Sequence, residues 1–301
     1  MPRVSNAQTS AAMQANLNRK SEEIAKLQSQ IASGQRMDKP SDDPVASARL
    51  RAMQSEQASL VRYNKDIGSV IGDLQIQEVH LKSSSDALDA LGDLLLAASN
   101  GSNGAENLAA FASELSNYAK IVVDCFNAKD DAGNYLFSGT KTDTPAVRYS
   151  EGEYKIIGNS TVRKAVVGNR VEIDANVTAA DLLGESPDLL NGLHELVDRL
   201  KKITPGEESP KQLLEDSLAF LEVARAKVRS AIGDLGARQN MLQLMENINI
   251  DRQGVNQRTQ DGLAKQDMTE AILKLRNYEV SMQASQKVYS LLAKFSPFEL
   301  N

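Results

Sequence analysis

Hydrophobic residues recur every seven positions over most of this chain. Near the start, Leu17, Ile24 and Ile31 fall seven apart, with Met13 and Leu27 in the intervening positions. Near the end, Met268, Leu275, Met282 and Tyr289 do the same, with Ala271, Tyr278 and Leu292 between them. A helix turns once per 3.6 residues, so a seven-residue repeat keeps one narrow apolar seam turned toward a partner helix. Chain ends fray unless something ties them down. Seams at both ends therefore point to termini suited to pairing and assembly.

The first helix is expected over about Ser10 to Ser33, with Gly34 as its C-terminal cap and residues 35–40 as a polar linker. Ser41-Asp42-Asp43-Pro44 reads as a helix start, with Asp43 as N-cap and Pro44 in the first helical position, where a missing N–H costs nothing. Met53, Leu60, Ile67, Leu74, Leu81, Leu88 and Leu95 then recur at strict heptad spacing, predicting one helix to about Ser99 that would be roughly 80 Å long. Gly68, Gly72 and Gly92 weaken it without breaking the period.

After a turn over Asn100 to Gly104, a third helix is expected at about 105–129, returning along the second, and residues 130–134 break it. The period then falls to two. Val147–Tyr149, Tyr154–Ile157, Val162–Val167 and Arg170–Ile173 read as short strands, separated by turns at 151–153, Gly158-Asn159 and Gly168-Asn169. Helices resume near Pro187, pause at Thr204-Pro205-Gly206 and restart with Ser209 as cap and Pro210 in the first turn. Leu214, Leu221, Val228, Leu235 and Leu242 again keep a seven-residue spacing, whereas Asn247 to Gln260 is the weakest helical stretch and mirrors the first polar linker. The expected fold is mainly α, an elongated rod of long coiled-coil-like helices with paired terminal helices and a small antiparallel β insert. The expected domains are terminal helices at 1–40 and 255–301 forming an assembly coiled coil, a long-helix domain at 41–138 and 187–254, and a β-rich outer insert at 139–186.

Composition sharpens this picture. The chain has 301 residues, 41% hydrophobic but only 4% aromatic and without Trp, so its core is aliphatic, as in helix bundles. A net charge of −6 argues against nucleic acid as a partner. The first forty residues run basic, through Arg3, Arg19, Lys20, Lys26, Arg36 and Lys39, most simply as a solvated helix face. No apolar stretch is long enough to span a membrane, and the N-terminus has no apolar core of a cleaved secretory signal. A single cysteine, Cys125, excludes an internal disulfide framework and falls in the repeat Leu108, Phe111, Leu115, Tyr118, Val122, where a small core residue fits.

Catalytic, cofactor and metal constellations are expected to be absent. Asp42-Asp43 has no His or Cys nearby, and helix capping accounts for the pair. Residues Asp130 to Asn134 resemble a fragment of a calcium loop but lack the alternating carboxylates and closing Glu, leaving a turn. His194-Glu195 lacks the second His of a zinc-protease helix. Gly233-Asp234-Leu235-Gly236 sits inside a heptad helix and fits a close helix–helix approach better than a phosphate cradle. No nucleophile–base pair stands out, so an enzyme is not expected.

Ser33-Gly34-Gln35-Arg36 followed by Pro40-Ser41-Asp42-Asp43-Pro44 resembles the N-terminal signature of the flagellin superfamily. Tyr135-Leu136-Phe137-Ser138-Gly139-Thr140, continuing through Lys141-Thr142-Asp143-Thr144-Pro145, looks like the mid-chain signature of one branch, the hook-associated junction proteins of bacterial flagella. The ending, Ser285 to Ser290 and then Phe295 to Asn301, is similar to the same branch. The resemblance implies terminal helices paired within an axial assembly, export through the flagellar type III channel and an extracellular location. It implies as partners further copies in a ring-like layer, a neighbouring hook-associated protein on the hook side, flagellin or the filament cap distally, and an export chaperone. The implied role is a structural junction that joins hook to filament and carries flagellin assembly. Flagellin itself is the near alternative and a cytoplasmic coiled-coil scaffold the distant one. The scaffold would share the heptads but has no reason for a mid-chain β insert.

Overall fold

The computed structural model describes residues 2–100, 104–204 and 210–294. Its helices are α1 (Pro2–Ser33), α2 (Pro44–Ser99), α3 (Ala105–Phe126), α4 (Ala179–Leu183), α5 (Asp188–Lys201), α6 (Lys211–Ala264) and α7 (Met268–Lys294). The strands are β1 (Val147–Ser150), β2 (Glu153–Ile156), β3 (Lys164–Gly168) and β4 (Val171–Asp174). The chain divides into two compact units, residues 1–59 with 251–301 and residues 60–250. The centre of the expected turn, Gly101–Asn103, the expected pause at Pro205-Gly206 and the expected cap Ser209 lie outside the described residues.

In the 60–250 unit, α2 and α6 run antiparallel. Arg229 pairs with Asp89 at 2.9 Å, Gln239 donates to Glu78 at 2.7 Å and Asn249 donates to Asn64 at 2.9 Å, so partner numbers fall on one helix as they rise on the other. The heptad leucines face this seam: Leu60, Ile67, Leu74, Leu81, Leu88 and Leu95 from α2, and Leu214, Leu221, Val228, Leu235 and Leu242 from α6, are all buried. Burying each aliphatic side chain contributes about 1.5–3 kcal/mol, which is what sustains helices far longer than propensity alone would support. Gly92 has a local purpose. The Arg225 guanidinium fills the space that a side chain there would occupy and donates to the Asp89 carbonyl at 2.9 Å.

The core extends to α3 and α5 through Leu108, Leu115, Val122, Leu189, Leu193, Leu196 and Leu200. At its end Phe126 and Phe137 meet edge-to-face, with centroids 5.6 Å apart. Phe126, rather than Cys125, is the fully buried residue here; Cys125 turns to the half-buried flank, and burial and the neighbouring Asp124 raise its thiol pKa. The helix stops at Phe126 rather than near 129, with Asn127 as its C-cap at φ −96° and its side chain bonded to the Val147 carbonyl.

The β insert is two separate hairpins, not one antiparallel unit. β1 pairs with β2 from Val147↔Ile156 to Ser150↔Glu153, and β3 pairs with β4 from Lys164↔Asp174 to Gly168↔Val171. Glu151 and Gly152 both have positive φ (59° and 90°), the turn geometry that suits the right-handed twist of a two-residue hairpin. Gly158-Asn159 is no hairpin turn; Asn159 folds back onto Ser138 instead. Three amide side chains fasten the insert by imitating a strand partner. Asn127 exchanges two hydrogen bonds with the Val147 backbone, Asn191 two with that of Tyr154, and buried Gln77 accepts from Val177 N–H while donating to the Ala175 carbonyl. The short helix α4 was not foreseen; Thr178 caps it, its hydroxyl accepting from Asp181 N–H at 3.2 Å.

Three further expectations are corrected. The first helix begins at Pro2 rather than Ser10, with proline in the tolerated first turn. α6 runs unbroken through Asn247–Gln260, and the break falls at Lys265–Asp267, so the last helix starts at Met268 rather than 255. Asn249 and Asn256 keep the heptad spacing seven and fourteen residues after Leu242 and are buried, Asn249 donating to Asn64 at 2.9 Å. Gly233 and Gly236 have nothing within reach of an added Cβ, so they mark neither a close helix approach nor a cradle. Phe126→Ala should lower unfolding free energy by about 3–5 kcal/mol, read as a reduced urea midpoint, with Phe126→Leu costing clearly less.

Candidate functional site

Within the terminal unit, α1 and α7 lie antiparallel. Lys20 Nζ donates to the hydroxyls of Ser281 and Ser285, and the two linkers are stitched by backbone hydrogen bonds, Arg36 N–H to Ala264 O at 2.7 Å and Gln266 N–H to Gly34 O at 3.0 Å. Gly34 has φ +69°, the left-handed conformation that lets α1 stop and the linker turn. The expected seam residues are unevenly covered. Leu27 and Ala271 are buried, whereas Met13, Leu17, Ile24, Ile31, Leu275, Tyr278, Met282 and Tyr289 remain half-covered. Met268 is exposed, contrary to its seam assignment, because it lies level with Ser33, where α1 ends. The Leu292 side chain and Phe295 to Asn301 lie outside the described residues. Heptad reading missed a second apolar stripe on the opposite side of α7, where Leu273, Val280 and Leu291 are 58%, 67% and 55% exposed. Its spacings of seven and eleven residues could have revealed it.

The Ser41–Pro44 turn is a fastening, with Ser41 itself exposed. Asp43 Oδ1 accepts from Ala46 N–H at 2.9 Å, capping α2 behind Pro44, and its other oxygen pairs with Arg36 at 3.0 Å. Asp42 accepts from the Asp38 and Lys39 N–H groups at 3.1 and 3.0 Å and from Lys26 Nζ at 3.0 Å, tying the linker to α1. The Lys39 N–H and then Lys26 hold the Asp42 carboxyl below its ordinary value, and Asp42 in turn raises that of Lys26.

The Tyr135–Thr140 segment belongs to the 60–250 unit and is a buried knot. Leu136 and Phe137 enter the core, and Tyr135 lies under Lys129, whose Nζ is 4.5 Å from the ring centroid. The buried Ser138 hydroxyl donates to Thr144 O at 2.7 Å, and Thr140 N–H donates to Asn159 Oδ1 at 3.0 Å. Gly139 has φ +69° and presses on Asn159 and Thr161; an added Cβ would lie 2.9 Å from the Thr161 carbonyl oxygen and nearer still to Asn159. The segment thus closes the insert onto the helices. Nearby, Tyr149, Tyr154 and His194 form an aromatic cluster, with the Tyr149 hydroxyl 2.9 Å from His194 Nε2, a grouping their distance in sequence concealed. Asp130 and Asn134 form a turn, Asp130 accepting from Asn134 N–H at 2.8 Å. Among the described residues, no group of three or more His, Cys, Asp or Glu is placed to hold a metal ion.

Two predictions follow from these fastenings. Gly139→Ala should be among the most damaging single-methyl additions, because the Asn159 and Thr161 carbonyl oxygens block it along with the Asn159 side chain and the positive φ strains any side chain; a cost of about 2–4 kcal/mol is expected in chemical denaturation. Asp42 stabilises the folded state above the ordinary carboxyl value, and its contribution disappears as pH falls through its lower folded value. Asp42→Asn should therefore lower the melting temperature at pH 7, and the gap between wild type and variant should close in melts taken well below pH 3.8.

Residues 4–142 match the family described as the bacterial flagellin N-terminal helical region. The chain is 23% identical over 297 residues to flagellar hook-associated protein 3 of Escherichia coli (strain K12), spanning 93% of each chain. A solved flagellar hook-associated protein from Vibrio parahaemolyticus is 32% identical, with a TM-score of 0.67, covering 74% of this chain and all of that one. The flagellar junction protein FlgL from Legionella pneumophila shares the fold, with a TM-score of 0.60 at 17% identity, over 72% of this chain and all of that one. Taken with the paired terminal helices and the Tyr135–Thr140 knot, these likenesses show that the chain belongs to the flagellar hook-associated protein 3 family, within the flagellin superfamily.

Proposed function

We propose that this protein is a structural junction subunit that joins the flagellar hook to the filament and provides the platform on which flagellin assembles. The observation that carries the reading is the terminal helix pair. α7 has one half-buried face toward α1 and another, through Leu273, Val280 and Leu291, that is left exposed among the described residues. A helix apolar on two sides belongs inside an assembly rather than in free solution. Ordering some sixty terminal residues costs on the order of 1–2 kcal/mol each in backbone entropy. Contacts with neighbouring subunits would offset that cost, coupling final folding to incorporation.

In this reading the assembly domain is made by residues 1–40 and 255–301, and the subunit forms a ring-like layer with its own copies. It meets another hook-associated protein on the hook side and flagellin or the filament cap distally. It leaves the cell through the flagellar export apparatus, accompanied by a chaperone, and acts outside the cell without catalysing a reaction. The names of the relatives favour this over flagellin itself, since the curated matches are hook-associated protein 3 and a shared fold is that of a junction protein.

The test is electron microscopy of cells lacking the gene, with flagellin assayed in the medium. Intact hooks without filaments, and flagellin shed as monomer, are expected; normal filaments would reject the role. Complementation with an Ile24→Ala plus Leu275→Ala variant should fail to restore filaments although the exported chain keeps its helical circular dichroism, and restored filaments would show that the seams are dispensable.

A further inference from the structure

Within the 60–250 unit, α6 carries a second apolar line outside its core seam. Met241, Leu244 and Ile248 are 51%, 61% and 49% exposed, and their spacing of three and four residues puts them on one side of the helix. The residues that turn to α2, Gln239 and Asn249, lie elsewhere on the helix circumference. Between Arg238 and Asp251 this stretch has a single charge, Glu246. Its surface is otherwise apolar and amide, unlike a solvated face.

At the same level along the pair, α2 has the complementary relief. The pairings Glu78–Gln239 and Asn64–Asn249 set Met241 level with about Ile76, Leu244 with about Gly72 and Ile248 with about Lys65, within a turn of Gly68. Gly68, Gly72, Ile76 and Val79 lie along one outward strip of α2. Both glycines have nothing within reach of an added Cβ, and Ile76 and Val79 are exposed. Among the described residues nothing packs against either glycine, while each weakens the helix locally. A shallow strip floored by glycine and edged by apolar residues admits the ridge of another helix at close range.

We propose that the Met241–Leu244–Ile248 ridge of one copy seats in the Gly68–Gly72–Ile76 strip of α2 in the next copy. The two helices would run antiparallel, as they do within the chain. Ridge and strip have matched lengths, about 10 and 12 Å, and the same level, so neighbours need little axial shift. Because they are different surfaces of one subunit, the contact is heterologous, the type that repeats around a ring instead of ending at a dimer. Its size agrees. Three part-exposed side chains offer far less than the ~800 Å² per partner of a self-sufficient interface, so the contact holds only when many copies are brought together. This inference rests on the junction reading and names a surface by which its copies meet.

The test uses the full chain with Cys125→Ser as background and adds Gly72→Cys and Leu244→Cys, singly and together. Isolated flagella are oxidised with copper–phenanthroline and run on non-reducing gels. The double variant should give a ladder of covalent multimers of this chain, and neither single should. Absence of the wild-type chain from flagella would defeat the junction reading. Its presence, with no ladder from incorporated double variant, would overturn this contact alone, as would adducts solely to a different flagellar protein. If the cysteine pair lowers incorporation, Gly72→Leu decides. Its side chain enters open space in the monomer, so the melting temperature should hold or rise while the amount incorporated falls about tenfold or more. Incorporation at the wild-type level would overturn the proposal.

Discussion

The antiparallel apolar seam between the two long helices is the constraint on which the 60–250 unit depends. Leu60 to Leu95 on α2 and Leu214 to Leu242 on α6 keep one face of each helix dry over their shared length. Neither helix would persist alone in water at such a length, because helical propensity is small and each of these sequences contains glycines. Once the seam exists, its flanks acquire fixed positions. Arg225 can sit over Gly92, Gln239 can reach Glu78, and Gln77 can face the backbone of residues 175–177. The rest of the unit is built on those positions.

Attachment of the insert shows how polar groups are buried without penalty. A hairpin of four-residue strands cannot stand alone. Here each critical backbone segment meets an amide that both donates and accepts, from Asn127, Asn191 or Gln77. Such paired bonds satisfy the strand backbone where no further strand is available, and they set its position along the helices. The Tyr135–Thr140 knot adds the turn that only a glycine at Gly139 permits. This explains why the segment is almost wholly interior. It recognises the protein's own helices.

In the terminal unit the balance is different. Its linkers are fastened by backbone hydrogen bonds and by Asp42 and Asp43, which are strong, directional and local. Its helix pair, by contrast, buries few residues among those described, Leu27, Gln30 and Ala271, and leaves α7 apolar on a second side. The joint is well made while the helices it joins remain short of partners. That combination suits a subunit whose ends are completed by neighbours.

The sequence by itself determined the long helices, the buried heptad faces of α2 and α6 and the caps at Gly34 and Asp43, because these follow from local periodicity and from the backbone demands of Gly34, Asp43 and Pro44. The four described strands were legible for the same reason, as runs of alternating residues between turn formers. The sequence did not show that the strands form two hairpins, that Cys125 yields the core to Phe126, or that Asn249 and Asn256 continue a seam instead of ending a helix. Nor did it show which amides clamp the insert or that Tyr149, Tyr154 and His194 meet. Each of these depends on a partner distant along the chain. Composition reads Asn and Gly as helix breakers, and only the tertiary structure decides whether a buried partner holds them in place.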